Sequence, residues 1–192
     1  MVGLERFRAV RAFGFGLAAA LLAACASMPA PVSVLGEGAP QPSVSAPSYN
    51  PGAAPRVVDR RAHLQCVPYA REASGIQIFG DANTWWGQAA GRYPRSNSPA
   101  SGSVLVMRGY SDPGRGHVAV VTQVVSSRLI LVNHANWLNH GEISTNVPIA
   151  DVSPGNDWSE VRVWYIPTGQ WGARVYQAHG FIHPFLLAAA IG

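Results

Sequence analysis

The stretch HVAVVTQVVSSRLILVN, residues 117–133, decides the fold that the sequence predicts. It contains two runs rich in β-branched and aliphatic residues, His117–Val125 and Leu129–Asn133, which are typical of buried strands. Ser126 and Ser127 lie between the runs and predict a tight turn. Strands joined by so short a connection pair antiparallel, so the sequence predicts a β-hairpin.

Two more strands and two short helices are predicted around this hairpin. The helices are expected over Cys66–Ala73 and Asp81–Ala90, and the strands over Ser103–Met107 and Glu160–Ile166. Because the strands follow one another without intervening helices, the sheet is predicted to be antiparallel. The predicted fold is therefore α+β, with short N-terminal helices packed on an antiparallel β-sheet, in a domain over residues 59–167.

The N-terminal residues 1–25 have the pattern of an export signal. Arg6, Arg8 and Arg11 precede the apolar stretch Phe13–Ala24. This stretch is shorter than the ~20 apolar residues that a transmembrane helix needs. A positive start followed by a short apolar run favours a signal peptide that is removed from the mature protein.

The end of this segment resembles the bacterial lipobox, in which a cysteine is lipidated and becomes the mature N-terminus. The residues that carry the resemblance are Leu22-Ala23-Ala24-Cys25. The resemblance implies lipidation of Cys25 and anchoring in a membrane. Ala26, rather than Asp, follows the cysteine, and by resemblance to Gram-negative lipoproteins this implies the periplasmic face of the outer membrane.

Two segments beside the predicted domain lack a clear periodic pattern. Residues 26–58 are rich in Pro, Ser, Ala and Gly, which predicts a disordered linker. Residues 168–192 form a C-terminal extension whose apolar end is too short to span a membrane. The sequence leaves open whether this extension packs on the domain, binds a partner or is loose.

The charge of the chain gives no support for a nucleic-acid partner. The formal net charge is only +4. The one dense basic run, Arg56, Arg60 and Arg61, lies at the junction with the predicted linker. Nucleic-acid-binding domains usually carry a clustered basic face, so no such partner is predicted.

The chain contains two cysteines, and lipidation of Cys25 would leave Cys66 without an intramolecular partner. A lone cysteine in an oxidising compartment is buried and inert, paired between chains, or reactive. Cys66 lies at a predicted helix N-terminus, where unpaired N–H groups and the helix dipole favour a thiolate. We therefore predict that Cys66 is a nucleophile.

A cysteine nucleophile needs a base and a group that orients that base. His117 follows Gly116 at the start of one hairpin strand, and His134 and Asn136 follow the end of the other. In an antiparallel hairpin these two ends lie side by side, so His117 is expected near His134. The alternatives are that His117 is a satisfied core histidine and that His134 is only structural.

The ordered set of motifs resembles the CHAP domain, the cysteine–histidine-dependent amidohydrolase/peptidase module, over about residues 60–167. The motifs are Gln65-Cys66-Val67-Pro68-Tyr69-Ala70-Arg71, Gly80-Asp81-Ala82 with Trp85-Trp86, Pro99-Ala100-Ser101-Gly102-Ser103-Val104-Leu105-Val106, Gly116-His117-Val118-Ala119-Val120-Val121 and His134-Ala135-Asn136-Trp137. The family is similar to the papain-like NlpC/P60 enzymes. The resemblance implies cleavage of amide or peptide bonds in peptidoglycan.

The resemblance also implies roles for individual residues. Cys66 corresponds to the nucleophile and His117 to the base. His134 corresponds to the third residue, which many members fill with Glu or Asp, and Asn136 to a polar residue of the site. Gln65 resembles the oxyanion donor of papain-like enzymes. A neutral His134 orients the base but stabilises its imidazolium less than a carboxylate would.

The sequence therefore predicts a peptidoglycan amidase or endopeptidase of the cell envelope. The alternative is a CHAP-fold lipoprotein with weak or no activity that acts as a binding or scaffold module. Action on another small amide, such as a glutathione conjugate, is a third option that fits an envelope location less well. No cofactor and no metal site are predicted, because the remaining histidines lack paired ligand spacing.

Overall fold

The computed structural model describes residue 46 and residues 53–185 of the 192-residue chain. The predicted signal peptide, its lipidation site Cys25 and most of the predicted linker lie outside these residues. Residues 186–192 also lie outside them. No helix in the described part of the chain is long and apolar enough to cross a membrane.

The described chain forms two α-helices, two short 3-10 helices and nine strands. The helices are α1 (Cys66–Ser74) and α2 (Trp85–Gln88), and the 3-10 turns are Ala82–Thr84 and Ile166–Thr168. The strands are β1 (Arg56–Asp59), β2 (Arg95–Ser96), β3 (Val104–Arg108), β4 (Gly116–Ser126), β5 (Leu129–Ala135), β6 (Ile143–Asp151), β7 (Glu160–Tyr165), β8 (Gln170–Trp171) and β9 (Tyr176–Ile182).

The strands pair antiparallel and close into a six-stranded barrel. The hydrogen-bonded order is β6-β5-β4-β3-β9-β7, and β7 pairs again with β6. Three short strands pair with the barrel strands: β1 with β6, β2 with β9 and β8 with β7. The prediction of an antiparallel sheet is thus confirmed, whereas its closure into a barrel was not predicted. Closure removes the unpaired edges that an open sheet would expose.

One core fills the barrel and another lies under the helices. All six barrel strands contribute side chains to a single buried cluster, which includes Met107, Ala119, Val132, Trp158 and Phe181. A second cluster joins α1 and the segment around α2 to the outer face of β3 and β4. Side chains of β4 alternate between these two clusters, because successive residues of a strand point to opposite faces. The odd-numbered residues from 117 to 121 share the interior face.

The hairpin and the first helix form largely as predicted. Ser126 pairs with Leu129, so the two-residue turn is Ser127-Arg128, one position later than predicted. Helix α1 begins at Cys66, and Gly75 ends it in the left-handed conformation, with its N–H bonded to Arg71 O at 2.9 Å. Only a residue without a side chain adopts that conformation readily.

The second predicted helix, Asp81–Ala90, is shorter than expected. A 3-10 turn precedes the four-residue helix α2, and the Asp81 side chain makes no capping bond. Instead, the Thr84 hydroxyl donates to the Asp81 carbonyl at 2.7 Å. Trp85 is fully buried, while Trp86 is only partly buried.

In the described structure the sheet extends past both ends of the range 59–167. Strand β1 begins at Arg56, inside the predicted linker, and pairs with β6. Strand β9, within the predicted C-terminal extension, lies between β3 and β7. Without β9 the barrel would be open, so residues 176–182 are part of the domain rather than an appendage.

Two phenylalanines near the C-terminus test this assignment. Phe181 is fully buried against Trp158, whereas Phe185 is 62% exposed. We expect Phe181→Ala to lower the free energy of unfolding by about 3–5 kcal/mol, because it leaves a cavity in the barrel core. We expect Phe185→Ala to change it by less than about 0.5 kcal/mol. Equal small effects in denaturant unfolding would contradict the placement of β9.

Candidate active site

Cys66 lies at the N-terminus of α1 with a free, half-buried thiol. Burial raises the pKa of the Cys66 thiol above its ordinary value, although backbone hydrogen bonds at Val118, Val67 and Cys66 and the charge of Arg115 act in the opposite direction. The resting sulfur is therefore a neutral thiol at pH 7. Three amide groups and a cation nevertheless surround the place where a thiolate would form.

His117 lies at the start of β4, and its side chain is hydrogen-bonded to that of His134. The two atoms His117 Nε2 and His134 Nδ1 are 3.0 Å apart, and the rings meet edge to face at 85°. This contact follows from the hairpin register, in which Val120 pairs with Asn133 and the start of β4 lies beside the end of β5. The expected proximity of the two histidines is therefore confirmed.

Aromatic contacts fix the orientation of both imidazoles. His134 is fully buried and stacks on Trp137, with ring centroids 5.5 Å apart and planes inclined by 18°. Trp137 also meets His117 edge to face at 4.9 Å. Trp137 thus contacts both histidines, and it lines the cavity described below.

Both histidines are neutral in the resting protein. Burial lowers the pKa of His117 to about 3. Burial, and then the proximity of His117, lowers the pKa of His134 well below its ordinary value. Because one neutral imidazole must donate and the other accept, the pair contains a single shared proton along this bond. His134 Nε2 is buried without a hydrogen-bond partner in the described structure.

The position of the His117–His134 bond determines which nitrogen can serve Cys66. Since His117 Nε2 is occupied by His134, Nδ1 is the ring nitrogen left to accept a proton from the thiol. This requires the proton of neutral His117 to reside on Nε2 and to be donated to His134 Nδ1. Cys66 and His117 line the same cavity, which makes the exchange geometrically feasible.

Asn136 contacts Gln65 rather than the histidine pair. Its Nδ2 donates to Gln65 Oε1 at 2.7 Å, and its Oδ1 accepts from Gly141 N at 2.8 Å. Asn136 has a left-handed backbone, with φ of 60°, which turns its side chain towards helix α1. Because Gln65 Oε1 is an acceptor in this bond, its Nε2 is left as a donor, and Gln65 lines the same cavity as Cys66.

Glu142 supports the loop that carries Asn136 and Trp137, and the sequence gave no indication of this role. Its buried carboxylate accepts hydrogen bonds from Leu138 N at 2.7 Å and His140 N at 3.1 Å. The Glu142 carbonyl also accepts from Asn136 N at 2.8 Å. No sequence motif around Glu142 signals that its carboxylate holds this loop. The role is visible only in the folded structure.

A cavity of about 610 Å³ opens over the cysteine and the histidine. Its walls come from the helix start, the loop between β3 and β4, the loop after β5 and the segment before β9. The side chains that line it include Gln65, Cys66, Arg108, Tyr110, Asp112, Arg115, His117, Asn136, Trp137, Tyr165, Arg174 and Tyr176. The loop of Asp112 and Arg115 thus forms one wall of the cavity.

The ionisation state of Cys66 can be tested by alkylation. We expect the rate of reaction with iodoacetamide to rise with pH and to reach no plateau below about pH 8.5, the value of a free thiol. The reason is that burial raises the pKa of the Cys66 thiol. The Cys66→Ser variant measures the background from Cys25. A plateau below pH 7 would instead reveal a preformed thiolate–imidazolium pair.

The chain matches a protein-family model over part of its length. Among curated proteins, none matches the chain significantly. Domains of the matched family are generally hydrolases of the amidase or peptidase type. Over residues 57–136, which include Cys66, His117 and His134, the chain matches the family model described as CHAP domain, as its motifs predict.

Proposed function

We propose that this protein is a cysteine amidase or peptidase that hydrolyses amide bonds in peptidoglycan. The observation that carries the proposal is the shared cavity of Cys66 and His117, with His134 bonded to the far nitrogen of His117. We also propose a papain-like arrangement of the fold. It is supported by the cysteine at a helix start and the histidine on a strand. The CHAP-family match supports the same reaction class.

In the first step, His117 Nδ1 removes the proton from Cys66 Sγ. Net charge is conserved, because a neutral pair becomes a thiolate and an imidazolium. The sulfur charge is stabilised by the backbone amides and Arg115 that surround it. The imidazolium keeps its Nε2–H hydrogen bond to His134 Nδ1. Because His134 is neutral, it stabilises the imidazolium through a dipole rather than through a full negative charge.

In the second step, the thiolate attacks the amide carbonyl carbon and the carbonyl oxygen becomes an oxyanion. Gln65 Nε2 and the Cys66 backbone N–H are the proposed donors to that oxygen. The imidazolium then gives its proton to the amide nitrogen, the C–N bond breaks and the amine leaves. A thioester remains on Cys66.

In the last step, His117 Nδ1 takes a proton from water as the oxygen of that water attacks the thioester. The tetrahedral intermediate collapses, the C–S bond breaks and the sulfur recovers the proton from His117. The products are a carboxylic acid and an amine, and the enzyme returns to its neutral resting state.

We place this activity in the cell envelope, at the periplasmic face of the outer membrane. This part of the proposal rests on the lipobox-like sequence that ends in Cys25 and on the Pro-rich segment after it. Lipid on Cys25 would anchor the protein with about 0.8 kcal/mol per buried methylene. A linker of this composition would let the domain reach peptidoglycan from the membrane.

A second candidate function is binding without efficient turnover. It is favoured by the neutral state of both partners, since burial raises the pKa of Cys66 and lowers that of His117. It is also favoured by His134, which replaces the carboxylate found in many members. In that case the cavity would hold a peptidoglycan fragment without cleaving it.

The two candidates are separated by digestion of purified peptidoglycan with the full chain. We expect wild type to release fragments, identified by mass spectrometry, and Cys66→Ala or His117→Ala to lower the rate by about 10³-fold or more. His140→Ala, a change at an exposed histidine, is the matched control and should retain the rate. Undiminished release by Cys66→Ala would end the enzyme proposal, whereas no release by wild type would favour the binding module.

A further inference from the structure

The cavity over Cys66 carries an excess of positive charge. Three arginines line it, Arg108 at the end of β3, Arg115 just before β4 and Arg174 just before β9. We call these three residues the arginine rim. Asp112 is the one acidic residue among the lining side chains, and its Oδ1 accepts from Gly114 N at 2.8 Å.

The N–H groups of the arginine rim have no hydrogen-bond acceptor among the described residues. None of the three donates a side-chain hydrogen bond or forms a salt bridge within the described part of the chain. Elsewhere in the domain, Arg92, Arg95 and Arg128 each donate to a backbone carbonyl. The arginine rim therefore presents N–H donors to the cavity that the fold itself does not use.

Aromatic rings hold part of the arginine rim in position. The Arg174 guanidinium carbon lies 4.7 Å from the centre of the Tyr110 ring, and Tyr110 meets Tyr176 edge to face at 5.6 Å. Stacking uses the face of the guanidinium and leaves its N–H edges exposed. A fork restrained in this way loses less side-chain entropy when it binds a planar anion.

We propose that the arginine rim binds free carboxylates of an acidic peptide substrate, with Arg174 and Arg108 as specificity-determining residues. The geometry favours carboxylates because a guanidinium fork matches a carboxylate with two parallel hydrogen bonds. The inference rests on the proposed function, and it adds that peptides with free side-chain or α-carboxylates are preferred over the same peptides with amidated carboxyl groups.

The position of the arginine rim explains why this preference would act on the reaction. Arg115 lines the cavity and its positive charge acts on the Cys66 thiol, so an anion held there would lie close to the proposed nucleophile. Arg174 and Tyr110 come from two different loops that face the cavity. A substrate carboxylate bound to the free N–H edge of Arg174 would fix the peptide at a second point besides the scissile amide, which limits its orientations.

The experiment measures binding and cleavage of two matched probes. One is a synthetic peptidoglycan stem peptide with free carboxylates, and the other is the same peptide with those carboxylates amidated. Dissociation constants are measured with the full chain carrying Cys66→Ser, so that the probes stay intact. We expect the acidic probe to bind about tenfold tighter or more, as charged hydrogen bonds imply.

Variants of the arginine rim assign the preference to residues. Arg174→Gln and Arg108→Gln should each weaken binding of the acidic probe about tenfold and leave binding of the amidated probe unchanged. Arg174→Lys should lose part of the preference, because it keeps the charge but not the fork. Arg95→Gln removes an arginine that also stacks on an aromatic ring, Trp86, but lies outside the cavity, and should change neither constant.

Equal binding of the two probes, or equal weakening of both by Arg174→Gln, would overturn the inference. Cleavage by the chain with Cys66 intact is measured in parallel. Cleavage of both probes at equal rates, with equal binding, would refute the inference and leave the proposed function standing. A binding preference without any cleavage would refute the enzyme and leave the arginine rim as a carboxylate-binding site.

Discussion

The hydrogen bond between His117 Nε2 and His134 Nδ1 is the contact on which the site depends. It occupies one nitrogen of His117 and thereby leaves the other for Cys66. It exists because the β4–β5 hairpin brings the start of one strand beside the end of the next. The barrel fixes that register, since a shift by one residue would move every side chain to the opposite face.

The same burial that orients the histidines also opposes their ionisation. The pKa of His117 falls to about 3, and burial raises the pKa of Cys66. An isolated proton on the imidazole or an isolated charge on the sulfur is therefore unfavourable. In the proposed mechanism, transfer of a proton from Cys66 to His117 would create both charges together, so their attraction would offset part of the desolvation. In the described part of the chain His134, rather than a carboxylate, is bonded to His117 Nε2, which makes this attraction and the amides around the sulfur more important.

Local patterns were sufficient to predict the elements that carry Cys66 and His117. The strand runs around Ser126 and Ser127 predicted the hairpin and the contact of His117 with His134, and Cys66 begins α1 as predicted. Asn136 was predicted at the site, but its hydrogen bond to Gln65 was not. That contact depends on the left-handed backbone of Asn136, which the sequence does not specify.

Strands β6 and β9 were not predicted, because their sequences depart from the regular pattern of a strand. In β6, Pro148 and the positive φ of Asn146 interrupt the alternation that marks a strand. In β9, Gly180 has φ of 123°, and a Cβ there would lie 2.6 Å from Ser96 O. Because β9 was not predicted, the segment before it was not assigned to the site, and Arg174 and Tyr176 were missed.

The proton positions on His117 test the account most directly. In the ¹⁵N spectrum of the histidine-labelled full chain at pH 7, we expect His117 to be neutral, with its proton on Nε2 and Nδ1 unprotonated. Assignment by His117→Gln and His134→Gln would identify the signals. A His117 that is an imidazolium at pH 7, or a neutral ring with its proton on Nδ1, would contradict the account, because Nδ1 could then not accept the proton of Cys66.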